Sequence, residues 1–156
     1  MDRALLRLVG AMVLPSELGD AGRDAAVADF ERWAAGYEAV PELNHGYGTS
    51  EIRYGPADPV PAWGAQLAAL DLEAGKRHGA RFGELEAPTR LALLRRHIGD
   101  TGAGMPQPLA ATHVAVALMS HWYGSPQATD RCYGVRISPQ TCRGIDGSAL
   151  EPEATT

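Results

Sequence analysis

The segment from Leu109 to Tyr123 carries apolar side chains on almost every side of a helical projection: Leu109, Val114, Val116, Leu118, Met119 and Trp122. A helix without a polar face is buried on both sides. Such a segment is either the central helix of its fold, or it is covered by a partner where the other helices leave it exposed. The chain has 156 residues, the usual length of one domain, and can bury about 68–70% of its unfolded surface. A core of that size needs no disulfide or structural metal to hold it.

The rest of the chain supplies amphipathic helices. Leu5, Leu8, Val9 and Met12 form a stripe that predicts a helix over 2–13, ended by Pro15. Val27, Phe30, Trp33, Ala34 and Tyr37 recur at helical steps after a start near Asp20, and Gly36 loosens the last turn. Trp63, Leu67, Leu70 and Ala74 mark a third helix from Pro61 to His78, with Lys76 and Arg77 at its negative end. Pro88 opens a fourth, with Leu91, Leu94 and Ile98 on its face and Gly99 at its end. Residues 39–60 break the pattern with Pro and Gly, so they form a long internal loop with a short extended piece around Glu51–Tyr54. After Pro126 the chain turns irregular, apart from one short strand candidate at Tyr133–Ile137. The expected fold is all-α: a helical domain of about five helices over 1–126, and an extended, irregular C-terminal arm over 127–156 that belongs to the same unit.

The net charge of −5 argues against nucleic acid, which calls for a basic face. No apolar run reaches the roughly 20 residues of a membrane-spanning helix. Asp2, Arg3 and Arg7 interrupt the apolar N-terminal residues, which therefore read as an amphipathic helix and not as an export signal. There is no dinucleotide or phosphate loop, no HExxH, no CxxC and no GxSxG. His97, His113 and His121 could gather into a zinc site if the fourth and fifth helices pack antiparallel, but no acid or thiolate stands at ligand spacing beside them. Ser120 and His121 are adjacent on a helix and point apart. Asp71 with Glu73, and Glu84 with Glu86, read as solvated surface charge more readily than as acid/base pairs.

Cys132 and Cys142 both fall in the arm. They are either a disulfide, which constrains the unfolded arm by roughly 2–3 kcal/mol, or two free thiols. Trp122, Tyr123 and Tyr133, beside Gly124, Pro126 and Gly134, have the look of an interface, where aromatics with polar tips are favoured. Val135 and Ile137 in the arm, and Tyr47 and Tyr54 in the loop, add to that surface because a solvated segment gains nothing from them.

Four stretches in order carry a family resemblance: MVLPSELGDAGRDAAVADFERW (12–33), WGAQLAALDLEAGKRHGARFGEL (63–85), APTRLALLRR (87–96) and HWYGSPQATDRCYG (121–134). The chain resembles the gluconate 2-dehydrogenase subunit 3 family, although Cys132 stands where that family more often has Gly or a neutral residue. The resemblance implies a small subunit with no catalytic residues and no cofactor of its own. Its partner would be a large FAD-binding dehydrogenase of the glucose-methanol-choline type, with a cytochrome as a further subunit in some complexes. It also implies export to the periplasm, whereas the missing twin-arginine signal fits a cytoplasmic complex. The competing readings are a stand-alone metal enzyme using His97, His113 and His121, and a general helical scaffold. In an exported complex, Cys132 and Cys142 are expected to be bridged. Mass spectrometry of native protein under non-reducing conditions checks this, and two alkylatable thiols would count against both the bridge and the exported location.

Overall fold

The structure, a computed structural model, describes residues 1–38, 42, 52–99 and 104–134. Among these, the fold is all-α, with six α-helices and no β-strand. They are α1 (Arg3–Val13), α2 (Gly19–Ala35), α3 (Val60–His78), α4 (Ala87–Ile98), α5 (Val114–Tyr123) and α6 (Pro126–Tyr133). Short 3-10 turns at Ser16–Leu18, Phe82–Glu84 and Pro108–Ala110 join or precede them. The chain divides into two compact units, Met1–Tyr123 with α1 to α5 and Gly124–Thr156 with α6. No described helix is long and apolar enough to cross a membrane.

The N-terminal helix starts where Asp2 accepts from the N–H groups of Ala4 and Leu5, which have no partner inside the helix. Its buried side is centred on Leu6, Val9 and Gly10, so the stripe lies one position round from the expected Leu5–Leu8 line. In α2 the inward residues are Ala26, Val27, Phe30 and Ala34. The face of α3 is Trp63, Leu67, Leu70 and Ala74, as its spacing predicts. Leu93 and Leu94 are the buried pair of α4. Tyr37 lies just past α2, and its hydroxyl donates to the Pro56 carbonyl at 2.6 Å, which ties the end of α2 to the chain leading into α3. Tyr54 makes an isolated antiparallel bridge with Glu42, the described remnant of the expected extended piece.

Of the two options for the apolar segment, the first holds. Val114 through Leu118, Ser120 and Trp122 are all buried, and α1, α2, α3 and the Pro108–Ala110 turn pack against α5. The other helices of the first unit thus supply cover that a partner would otherwise have to give. Ala115 and Ala117 alternate with Val114, Val116 and Leu118, and all five are buried. The helix is also shorter than its apolar pattern, because residues 108–110 form a 3-10 turn and α5 begins only after His113.

The arm was expected to be irregular from residue 127, and its described part is instead a helix. Ser125 accepts from the Ala128 N–H, Pro126 occupies the first turn and Gly134 ends the helix at φ 65°. These three residues are standard start and stop signals. The helix escapes a hydrophobic count because Ala128 is its one buried residue. Cys132 is exposed on it. Cys142, Val135, Ile137 and Tyr47 lie outside the described residues.

Helices α1 and α2 approach closely at Gly10. A β-carbon there would sit 2.8 Å from Cγ2 of Val27, a branched side chain with little rotamer freedom in a helix. Gly10→Ala should therefore destabilise the fold by about 1–2 kcal/mol, although Ala is the better helix former by about 1 kcal/mol. Urea melts check this. In the Val27→Ala background the same substitution should be neutral or stabilising, and equal losses in both backgrounds would remove the steric explanation.

Candidate functional site

The three histidines considered as metal ligands are each occupied by a separate structural task. His97 on α4 meets Glu73 on α3, Nε2 to Oε2, at 2.6 Å. Arg77 also engages Glu73. The hydrogen bond from His97 comes first among the effects that hold the Glu73 carboxyl below its usual range, with Arg77 adding to it. His121 on α5 lies 3.1 Å from Asp29 on α2. Burial pulls the Asp29 carboxyl upward, but the bonds to Arg32 and His121 together outweigh it and leave the group below its ordinary value. The His121 ring also lies 5.0 Å from Trp33 and 5.6 Å from Phe30, centroid to centroid. Phe30 in turn stands 5.3 Å from Trp63. The cluster joins α2, α3 and α5 through their rings.

His113 is the third. It is 3% exposed, and its Nδ1 accepts from the Ala115 N–H at 3.1 Å. Its carbonyl receives the first helical bonds, from Val116 and Ala117. It is thus the N-terminal cap of a buried helix, an unusual place for imidazole. The next orphan donor, the Val114 N–H, goes to Oε1 of Gln66 on α3 at 2.8 Å. Nε2 of the same Gln66 donates to the Thr112 carbonyl, also at 2.8 Å. Nε2 of His113 is buried without a hydrogen-bond partner among the described residues. Among those residues, no group of three or more His, Cys, Asp or Glu stands together as a metal site.

The acidic pairs also have structural work. Asp71 accepts from the Phe82 N–H at 2.9 Å and Glu84 from the Arg81 N–H at 2.8 Å, which pins the turn between α3 and α4 and seats the fully buried Phe82. The sequence carried signals for part of this: Glu84 stands three residues after Arg81, at capping-box spacing. The Gln66 clamp had no local signal. Ser120, adjacent to His121, has a buried hydroxyl with no hydrogen-bond partner among the described residues.

Of the expected interface residues, Trp122 is 8% exposed and belongs to the core, with its ring edge-on to Tyr123 at 4.7 Å. Tyr123, Tyr54 and Tyr133 are 46%, 56% and 77% exposed, and Ile52 beside Tyr54 is exposed as well.

Burial holds the His113 imidazole down at about 4, with the charge of His97 adding to the effect. The unfolded chain takes up this proton near 6.5, the folded one only near 4. His113 thus contributes stability that is present in full above about pH 6.5 and lost as pH falls toward 4, on the order of 3 kcal/mol over that window. Asn accepts the same capping bond and does not titrate. His113→Asn should flatten the dependence of the urea midpoint on pH between about 6.5 and 4. An unchanged slope would assign the effect to other groups.

No family model, no curated protein and no solved structure matches this chain.

Proposed function

We propose that the chain is a non-catalytic accessory subunit that binds and stabilises a large FAD-dependent sugar, glycoside or alcohol dehydrogenase and assists its maturation or export. The observation that carries this reading is the set of exposed aromatics, Tyr54, Tyr123 and Tyr133. A tyrosine at such a position gives the isolated chain little, whereas across an interface its ring is desolvated and its hydroxyl keeps a polar partner. The four ordered stretches at 12–33, 63–85, 87–96 and 121–134 support the choice of partner. FAD belongs to that partner, and a cytochrome is a further candidate subunit. The metal-enzyme alternative has no observation in its favour, because His97, His113 and His121 serve three different contacts.

The burial of α5 changes which residues test the idea. Trp122→Ala would open a core cavity and report on folding, so it is a poor probe of the interface. The double variant Tyr123→Ala/Tyr133→Ala removes exposed rings and should leave far-UV circular dichroism unchanged. Co-expressed with a large flavoprotein dehydrogenase of the proposed class, the wild-type chain should co-purify with flavin. Two interface aromatics at about 2 kcal/mol each predict a loss of affinity of roughly a thousandfold for the double variant. Full retention would move the interface elsewhere, and a co-purifying protein without flavin would favour a general scaffold.

A further inference from the structure

Positive charge on this acidic chain is gathered where α3 and α4 meet. The last turns of the two helices carry Lys76, Arg77 and His78, and Arg95, Arg96 and His97. A groove of about 630 Å³ is lined by Leu72, Glu73, Lys76, Arg77, Arg96 and His97. Glu73 is its one acid, and that carboxylate is shared between Arg77 and His97. Neither Lys76 nor Arg96 has an ion-pair partner among the described residues. The helix dipole explains cations near each C-terminus, at roughly 0.3–1 kcal/mol apiece. It does not explain why cations from two helices line the same hollow.

The shape and the apolar content narrow the anion. Leu72 is 60% exposed on the groove wall, which a phosphate or other point ion has no use for. The groove also continues. A hollow of about 670 Å³ shares Leu72 and Lys76 and reaches Arg81. Another of about 530 Å³ shares Arg77 and Arg96. The acids of the first of these, Asp71 and Glu84, are already bound to backbone N–H groups. The result is a track with cations along its length and an apolar side chain between them.

We infer that this α3–α4 track is a docking site for an acidic segment of a partner protein, an extended peptide that mixes carboxylate and apolar side chains. The carboxylates meet Lys76 and Arg96, and an apolar side chain covers Leu72. The inference holds for any partner and does not rest on that partner's being a flavoprotein.

The test uses the full chain and a fluorescein-labelled peptide of repeated Asp-Glu-Leu, with Asn-Gln-Leu repeats as the neutral control, read by fluorescence anisotropy. The acidic peptide should bind, the neutral one should not, and added salt should weaken the complex. Lys76→Glu/Arg96→Glu should lower affinity at least about tenfold, and Leu72→Ser should lower it as well. Arg95→Glu is the control: it lies in the same last turn as Arg96 but lines none of the three hollows, and it should leave binding within about twofold. Circular dichroism of each variant checks the fold. Three results would overturn the inference: no binding of the acidic peptide, equal binding by the double variant, or ready displacement by inorganic phosphate or phosphatidylserine vesicles, which would assign the track to a point ion or a lipid surface.

Discussion

A helix buried on every side has to begin inside the core, and its first N–H groups cannot turn to water there. This demand at Val114 and Ala115 organises much of the first unit. An unsatisfied buried donor costs on the order of 1–3 kcal/mol, so two of them would take a large share of the net stability of a small domain. His113 meets one and Gln66 the other. Because Gln66 also holds the Thr112 carbonyl, α3 cannot slide along α5 without losing both bonds. Trp63, one turn earlier on α3, is thereby held against Phe30 of α2. On the same inward face of α2, Gly10 lets α1 approach Val27. An apolar segment thus imposes a polar clamp, and the clamp sets where its neighbours lie.

The same logic accounts for the polar residues that resemble catalytic groups. Asp71 and Glu84 hold the turn that seats Phe82, Glu73 joins α3 to α4, and Asp29 joins α2 to α5. In each case a carboxylate engages a neighbouring donor and so has a structural role in the fold. Among the described residues, the groups facing solvent include tyrosines with exposed rings and the cations of the α3–α4 track. Both kinds suit binding to another protein, and they do so by different physics, since ring burial is insensitive to salt and the cationic track is not.

The local parts of this architecture were legible in the sequence to different degrees. The face of α3 could be read residue for residue, because Trp63, Leu67, Leu70 and Ala74 keep helical spacing with polar residues between them. In α1 the apolar side chains are so dense that several faces fit, and packing against α2 and α5 selected Leu6, Val9 and Gly10. In α6 the hydrophobic signal is nearly absent, and only Ser125, Pro126 and Gly134 announce the helix. For the candidate site, the exposed rings of Tyr54, Tyr123 and Tyr133 were suggested by the Gly and Pro residues near them, but Trp122 was not separable from them, although its ring is buried.

By itself the sequence determined that the described residues are all-α and that α5 has no polar face. Both follow from backbone geometry, since 3.6 residues per turn projects side chains onto faces that spacing alone reveals. Only the tertiary structure decided that most of the cover for α5 comes from this chain, that Gln66 clamps its first turn, and that His97 and His121 belong to different acids. Those outcomes rest on contacts between residues 24, 48 and 92 positions apart. Partners at such distances are chosen by how the helices close around the core, which no local period encodes.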